Sequence, residues 1–343
     1  MPGIVTRADY CQFLVSSQTN YTLTYFANHT IRFSHDAPTR YLRRDRISAK
    51  QVWQQAKGDI VLSPRGFIVF DDSVLDKNHS RQIEIVYKQY SGNEHRVIRG
   101  IGLINCIYVN PETGEFWIID YRLYNPKTDG KDKHEHVSDM LNACFEKCLV
   151  GELDFSAVLM DTWYATTKLM VAIHRSGHLF YCPIQFNRKV SQAHGEEKYV
   201  YQSAESVTWS DDEADFGKQV HLKDFPSGFE VKLFRIVVSN GSTELIVTND
   251  ESSLDTQAVQ VVCGFRWKVE QFHREVKQVT GIEACQCRNA RAQKNHIGCA
   301  LLVWLFLKRR AKQCFSTVYA LKQGLLDEYM CNELKSSSLS YAA

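Results

Sequence analysis

The sequence predicts an α/β protein in which helices pack on a mixed β-sheet. Strand-like runs of apolar and β-branched residues come first, at 67–70, 96–109 and 115–123. Helical and strand-like segments then alternate from 134 to 185. A helical segment at 265–279 carries an apolar stripe along one face, as a helix packed on a sheet does. Together these patterns favour one large α/β core with smaller attachments.

The first 60 residues are predicted to form a small helical module, with Ser48 as the N-cap of its last helix. One of its helices is rich in arginine: Arg40, Arg43, Arg44 and Arg46. A break near Ile47 between two short helices is typical of a helix-turn-helix DNA reader, with these arginines on DNA. A plain helical hairpin that packs on the core is the alternative.

The first core strand, 67–70, is expected to end at Asp71 and Asp72. The next two strands are joined by a turn of hairpin composition at 110–114, so the three strands form an antiparallel meander. The elements after the meander are predicted to be a helix at 134–149, a strand at 155–160, a helix at 166–175 and a strand at 179–185.

This element order is the layout of a ribonuclease-H-like core, in which the first and fourth strands are neighbours. Asp161 directly follows the fourth strand, so Asp71 and Asp161 should lie side by side.

The predicted divisions of the chain are a helical DNA-binding module at 1–60, a first part of the core at 61–186, a β-rich insertion at 187–250, core helices carrying a catalytic residue at 251–330, and a flexible tail at 331–343. Trp209 in the insertion is expected to pack in the fold or at its surface, or else to stack on a distorted DNA end.

Two stripes run along the helix predicted at 265–279. The apolar stripe consists of Phe265, Val269, Phe272, Val276 and Val279. The second stripe lies one position later and consists of Arg266, Glu270, His273 and Lys277. An exposed face with an ordinary ion pair would have this pattern, but so would a surface that holds a metal ion beside a phosphodiester.

Three carboxylates, those of Asp71, Asp161 and Glu270, are therefore expected to converge. Magnesium prefers oxygen ligands, and a pair of such ions serves in-line displacement at phosphorus. The sequence thus predicts a two-metal Mg²⁺ site with these three residues as catalytic ligands, with Mn²⁺ able to replace Mg²⁺.

Composition limits the other classes of function. The 343 residues are 44% hydrophobic and 23% charged, as in ordinary folded domains. The longest apolar run, 297–307, is about half of the roughly 20 residues that a membrane span requires. The 11 cysteines lack the regular spacing of a disulfide framework or a zinc site. We expect a cytoplasmic protein with no membrane partner.

Two stretches are strongly basic although the net charge is only +2. Residues 32–57 contain seven Lys or Arg and two Asp, and residues 288–312 contain seven Lys or Arg and no acid. Such stretches neutralise DNA phosphates, although solvated helix faces also have this composition. A glycosidase with paired carboxylates would not require them.

With these residues in view, the chain resembles the DDE transposases of bacterial insertion sequences, in the subgroup marked by a Tyr-Arg-Glu-Lys signature. Three motifs over about 67–312 carry the resemblance: Asp71, Asp72 and Ser73; the run Leu159, Met160, Asp161, Thr162, Trp163 and Tyr164; and Arg266, Trp267, Val269, Glu270, Phe272 and Lys277. Cys263 stands where the signature has tyrosine. Because the family pattern resembles Asp, any residue, then Ser or Thr, it favours Asp71 over Asp72 as the ligand.

The resemblance implies a homodimer that binds the terminal inverted repeats of its element, cleaves their ends by metal-dependent hydrolysis and joins the 3′ ends to target DNA. Arg266 and Lys277 would hold the transferred strand, with His273 or Arg274 assisting. The alternative is a non-catalytic DNA-binding protein derived from a transposase.

Overall fold

One mixed β-sheet runs through the protein and separates two layers of helices. The structure is a computed structural model and describes residues 3–78, 80, 82–92, 94–193, 198–237, 241–252, 254–327 and 330–331. The residues of the predicted flexible tail beyond 331 lie outside the described residues.

Four short helices begin the chain: α1 (Arg7–Ser16), α2 (Leu23–Asn28), α3 (Ala37–Arg44) and α4 (Ala49–Ala56). Ser48 caps α4 as predicted, in a capping box with Gln51. Most buried side chains of the four helices share one hydrophobic cluster with the long helix α10 (Ala290–Gln313). The N-terminal helices are therefore packed on the main core.

The predicted meander is present as three strands, with one further strand inserted: β1 (Phe67–Asp76), β2 (Tyr87–Ser91), β3 (Arg96–Val109) and β4 (Phe116–Tyr124). β3 pairs antiparallel with the other three. The prediction that β1 ends at Asp71 and Asp72 is wrong. β3 pairs with β1 from Phe67 to Asp76, and this ladder keeps the backbone extended through both acids.

The next elements follow the predicted order: α5 (Lys133–Leu149), β5 (Ala157–Leu159), α6 (Thr167–Arg175) and β6 (Leu179–Ile184). β5 lies parallel to β1 on one side and to β6 on the other. The central strand order is β4-β3-β1-β5-β6, with helical crossovers between the parallel strands. The predicted neighbours, the strands that carry Asp71 and precede Asp161, are thus adjacent, in a sheet consistent with a ribonuclease-H-like core.

The segment predicted as a β-rich insertion continues the sheet beyond β6. Its elements are β7 (Lys189–Ser191), β8 (Gln202–Ser203), a 3-10 turn (Ala204–Ser206), α7 (Asp211–Phe216), β9 (Lys218–Leu222), β10 (Val231–Val237) and β11 (Thr243–Thr248). β11 pairs with β6, and the order runs on as β11-β10-β9-β7-β8. The described chain before β8, from 198 to 201, is irregular. Trp209 is half-buried, with the Arg235 guanidinium over its ring.

Helices end the described chain: α8 (Thr256–Gly264), α9 (Trp267–Thr280), α10 and α11 (Val318–Gly324). The predicted apolar stripe of α9 is buried at Val269, Phe272, Val276 and Val279, and Phe265 packs beside Phe67. The stripe therefore sets which face of α9 looks toward solvent.

Each face of the sheet has its own hydrophobic cluster. Phe67 and Val69 of β1 belong to the cluster that contains α9 and α10, whereas Ile68 and Phe70 belong to the cluster that contains α5 and α6. This alternation, which follows from the strand period of two, decides where the acids further along β1 point.

A buried asparagine joins the corner between α3 and α4 to α10. Asn295 is 1% exposed; its Oδ1 accepts the Ile47 N–H at 3.0 Å, and its Nδ2 donates to the Leu42 carbonyl at 2.7 Å and to the Asp45 carbonyl. One side chain thus satisfies three backbone groups that no helix ladder pairs.

We expect Asn295→Ala to lower the free energy of unfolding by about 2–3 kcal/mol, because it leaves buried backbone groups without partners. Chemical denaturation followed by circular dichroism measures this change. Lys294→Ala, at the exposed neighbouring position, is the control and should change stability by less than about 0.5 kcal/mol. Equal stability of the two variants would show that the three bonds contribute little.

Candidate active site

Two adjacent acids of β1 point to opposite faces of the sheet. Continuing the alternation of β1, Asp71 lies on the side of α9 and Asp72 on the side of α5. Their contacts agree with these positions: Asp71 lies beside Glu270 of α9, and Asp72 is bonded to Lys133 of α5. Only Asp71 therefore meets the acid of α9.

Asp71, Glu270 and His273 form a compact group. One potential ligand atom from each lies within 4.8 Å of the other two. Glu270 and His273 are three residues apart on α9 and so lie on one helix face, with His273 Nδ1 3.9 Å from Glu270 Oε2. Asn105, opposite Asp71 in the register of β3, places its Nδ2 2.9 Å from His273 Nε2. This bond holds the imidazole in place behind Glu270.

Asp161 reaches the same cavity from the end of β5. β5 is the parallel neighbour of β1, with Val69 opposite Leu159, so the chain delivers Asp161 beside Asp71. Its carboxylate accepts the Tyr164 N–H at 3.1 Å. Asp161 lies outside the compact group of three but lines one cavity with Asp71 and Glu270. The three acids that were predicted to converge thus share a cavity.

The charges in this cavity are poorly compensated. Burial, followed by the carboxylates of Asp161 and Glu270, raises the pKa of Asp71 well above its usual range. Burial also raises the pKa of Asp161, although the Arg266 guanidinium opposes this shift. The pKa of Glu270 is lowered, chiefly by His273. Buried carboxylates in this arrangement favour a bound cation.

Asp72 is fixed by two donors on the other face of β1. Lys133 Nζ lies 2.6 Å from Asp72 Oδ2, and the Tyr164 hydroxyl donates to Oδ1 at 2.6 Å. Tyr164 therefore bonds Asp72 through its side chain and Asp161 through its backbone. No local pattern in the sequence relates Lys133 or Asn105 to the acids, so neither residue can be identified as part of the site without the fold.

The cavity has a volume of about 780 Å³ and opens to solvent. Besides the acids and their partners, its walls include Ser73, Tyr90, His134, Trp163 and Arg266. Trp163 stacks against His134 and is 62% exposed.

The predicted DNA-binding residues of α9 have different surroundings. Arg266 lines the cavity at the start of α9, and His273 lies buried at its wall. Lys277 is partly buried: its Nζ donates to the Val74 carbonyl at 3.0 Å and lies 3.4 Å from Glu283 Oε1. Arg274 is exposed and does not line the cavity.

The N-terminal arginines lie away from this cavity. Arg43, Arg44 and Arg46 are exposed, and Arg40 bonds to the Ser34 hydroxyl at 2.9 Å. None of the four lines the cavity of the acids. Their DNA contacts remain predictions.

A comparison with protein families decides which class this site belongs to. The family described as the transposase DDE domain matches residues 62–306, from just before β1 into α10, and includes all three acids. The chain belongs to this family of DDE transposases. A search of curated proteins finds no match. The DDE domain implies DNA binding, DNA cleavage and strand transfer of the transposase type, and use of divalent metals.

The donor set of this DDE transposase fits such metals. The carboxylate oxygens of Asp71, Asp161 and Glu270 are the ligands that Mg²⁺ and Mn²⁺ prefer, and a cation would relieve the repulsion that raises the pKa of Asp71. In the part of the chain that the structure describes, no helix combines the length and hydropathy needed to span a bilayer.

Proposed function

We propose that the protein is an active DNA transposase of the insertion-sequence type that cleaves the ends of its element and joins the 3′ ends to target DNA. One observation carries the proposal: Asp71, Asp161 and Glu270, from three separate elements, line a single open cavity. An inactive descendant would be free to lose any of these acids, whereas this chain retains all three in one place.

In the proposed reaction Asp71, Asp161 and Glu270 hold two Mg²⁺ ions, or Mn²⁺ in their place. When bound, such ions activate the attacking oxygen and stabilise the leaving oxygen of an in-line displacement. The protein side chains orient the reactants. His273 and Asn105 keep Glu270 in position, and Tyr164 holds Asp72 through its hydroxyl and Asp161 through its backbone N–H.

Arg266 is proposed to hold the phosphate of the transferred strand, because its guanidinium lies beside the acids without being a metal ligand. Lys277 occupies the lysine position of the signature and is proposed to contact DNA. Its hydrogen bond to the Val74 carbonyl and its ion pair with Glu283 also connect α9 to β1 and to the chain after α9. Arg274 and His273 are weaker candidates for DNA contact. Cys263 removes the tyrosine of the Tyr-Arg-Glu-Lys signature, so the subgroup assignment rests on Arg266, Glu270 and Lys277.

The proposal includes a homodimer on the terminal inverted repeats of the element, with action at the nucleoid in the cytoplasm. The helix-turn-helix role of the first 60 residues is part of the same proposal. The rival function is a non-catalytic DNA-binding protein, favoured by nothing in the geometry of the acids.

Incubation of the full chain with DNA carrying its element ends, in Mg²⁺ and separately in EDTA, tests the proposal. We expect nicks at the element ends and joined products in Mg²⁺, and neither in EDTA. Binding to the ends without any nick in either Mg²⁺ or Mn²⁺ would establish the non-catalytic function instead.

A further inference from the structure

Two basic stretches that lie about 245 residues apart in sequence meet on one surface of the folded protein. One part of this surface comes from the end of α3 and the chain just after it, and the other from the start of α10 and the chain just before it. We call its six cationic residues the basic face: Arg43, Arg44, Arg46, Arg288, Arg291 and Lys294. All six are exposed. The bonds of Asn295 to the corner between α3 and α4 hold the two parts together.

Five of the six cations of the basic face line two adjoining surface depressions, and Arg44, beside Arg43 at the end of α3, lines neither. Arg43, Arg288 and Arg291 line one surface depression of about 450 Å³. Arg46, Arg291 and Lys294 line a second of about 430 Å³. Arg291 belongs to both, so the two depressions adjoin.

The positive charge of this face exceeds the negative charge beside it, since one carboxylate lines each depression: Glu84 the first and Asp45 the second. Across the described ranges, none of the six cations forms an ion pair with a carboxylate at 4.0 Å or less. The nearby Asp45 is paired with Arg7 at 2.7 Å, and the nearby Glu84 accepts the Ala290 N–H at 2.8 Å. The positive end of the α10 dipole adds to the local potential.

Other cations of the same basic stretch behave differently. Arg309 pairs with Asp59, and Lys312 pairs with Glu115, each at 2.7 Å. These two residues therefore brace the fold, whereas Arg288, Arg291 and Lys294 near the start of α10 have no ion pair among the described residues. A face with six exposed, unpaired cations is suited to binding a polyanion rather than to pairing with a single acidic side chain.

We propose that the basic face binds the phosphate backbone of duplex DNA, outside the cavity of the acids. None of its six cations lines that cavity. The choice of duplex DNA as the polyanion rests on the proposed function. The chain from 281 to 289 links the end of α9, which carries Lys277, to the basic face at the start of α10. The contacts are to phosphate and carry affinity rather than sequence preference.

The test uses the full chain and a fluorescein-labelled duplex in EDTA, so that binding is measured without metal chemistry. The variant Arg43→Ala/Arg288→Ala/Arg291→Ala removes three cations of the basic face. The matched control, Lys168→Ala/Arg175→Ala/Lys223→Ala, removes three exposed cations elsewhere, two of them on α6 across the sheet. Fluorescence anisotropy at a series of KCl concentrations gives the affinity of each protein.

We expect the slope of log affinity against log salt to become shallower by about 2 to 3 in the basic-face variant, and to stay unchanged in the control. Arg291→Glu, a single change in both depressions, should weaken binding as well. An unchanged slope in the basic-face variant, or an equal change in both triple variants, would overturn the proposal. Weaker binding to single-stranded DNA or RNA alone, with duplex binding intact, would also overturn it.

Nicking in Mg²⁺ separates this proposal from the proposed function. Duplex binding that depends on the basic face, without any nicking, would contradict the proposed function and support the proposal for the basic face. Nicking by the unaltered protein, together with an unchanged salt slope in the basic-face variant, would contradict the proposal for the basic face and support the proposed function.

Discussion

We expect Asp71→Asn to reduce the rate of DNA nicking by a factor of about 10³ or more and to leave duplex binding close to that of the unaltered protein. Loss of a metal ligand removes several kcal/mol of transition-state stabilisation, and each 1.36 kcal/mol is a factor of ten in rate. Binding is spared because the carboxylate repels phosphate in the absence of metal. Nicking in Mg²⁺ and anisotropy in EDTA measure the two effects separately.

The same substitution should make the protein more stable at neutral pH. The pKa of Asp71 is raised in the folded state, first by burial and then by Asp161 and Glu270. A carboxyl group with a raised folded-state pKa destabilises the folded state once the pH is high enough to ionise it, and the neutral amide removes that cost. Opposite changes in activity and stability are the signature of a functional site.

Asp161→Asn and Glu270→Gln should lose nicking to a similar extent, and Asp154→Asn, an exposed acid before β5, is the matched control. Mg²⁺ should raise the melting temperature of the unaltered protein and of the control but not that of Asp71→Asn, because only a bound ion stabilises by mass action. Nicking by Asp71→Asn at the original rate would remove Asp71 from the metal site.

Tyr164→Phe is expected to reduce Mn²⁺ affinity and nicking rate by about 10- to 100-fold, the range found when a group that orients metal ligands is removed. Burial raises the pKa of Tyr164, so its hydroxyl stays protonated and donates to Asp72. The change leaves the backbone bond to Asp161 and the Lys133 bond to Asp72 in place, but Asp72 loses one of its two side-chain donors. Because Asp72 adjoins Asp71 on β1, a shift of the less firmly held Asp72 alters the spacing of the acids.

Tyr41→Phe is the control for this prediction. It also removes a tyrosine hydroxyl that donates to an aspartate, here Asp45 at 2.7 Å, but neither Tyr41 nor Asp45 lines the cavity of the acids. Electron paramagnetic resonance of Mn²⁺ measures the metal affinity of each variant directly. Equal Mn²⁺ affinity in Tyr164→Phe and Tyr41→Phe would reduce Tyr164 to a packing residue.

Patterns within short stretches of sequence predicted most of the secondary structure. The Ser48 cap, the apolar stripe of α9 and the order of helices and strands after β4 depend on neighbours a few residues apart, so they are visible without the fold. The errors have the opposite origin. β1 runs past Asp71 because β3 pairs with it, and a distant strand leaves no trace in the local pattern.

The candidate site divides in the same way. Sequence alone predicted that Asp71, Asp161 and Glu270 come together, because the position of Asp161 after its strand and the helix face of Glu270 follow from periodicity, and the neighbour relation of the two strands follows from the element order. It could not decide geometrically between Asp71 and Asp72. In the structure, successive residues of β1 alternate between two hydrophobic clusters, so Asp71 lies beside Glu270 and Asp72 forms an ion pair with Lys133 on the opposite face.

Sequence by itself determined the residue types, the periodicities and the two separate basic stretches. Only the tertiary structure decided which cations are free: Arg309 and Lys312 meet acids, Lys277 meets Glu283, and Arg291 joins Arg43 on one surface. The physical reason is that electrostatic pairing depends on distances of a few ångströms between side chains. Those distances are set by the packing of α3 and α10, which no local pattern contains.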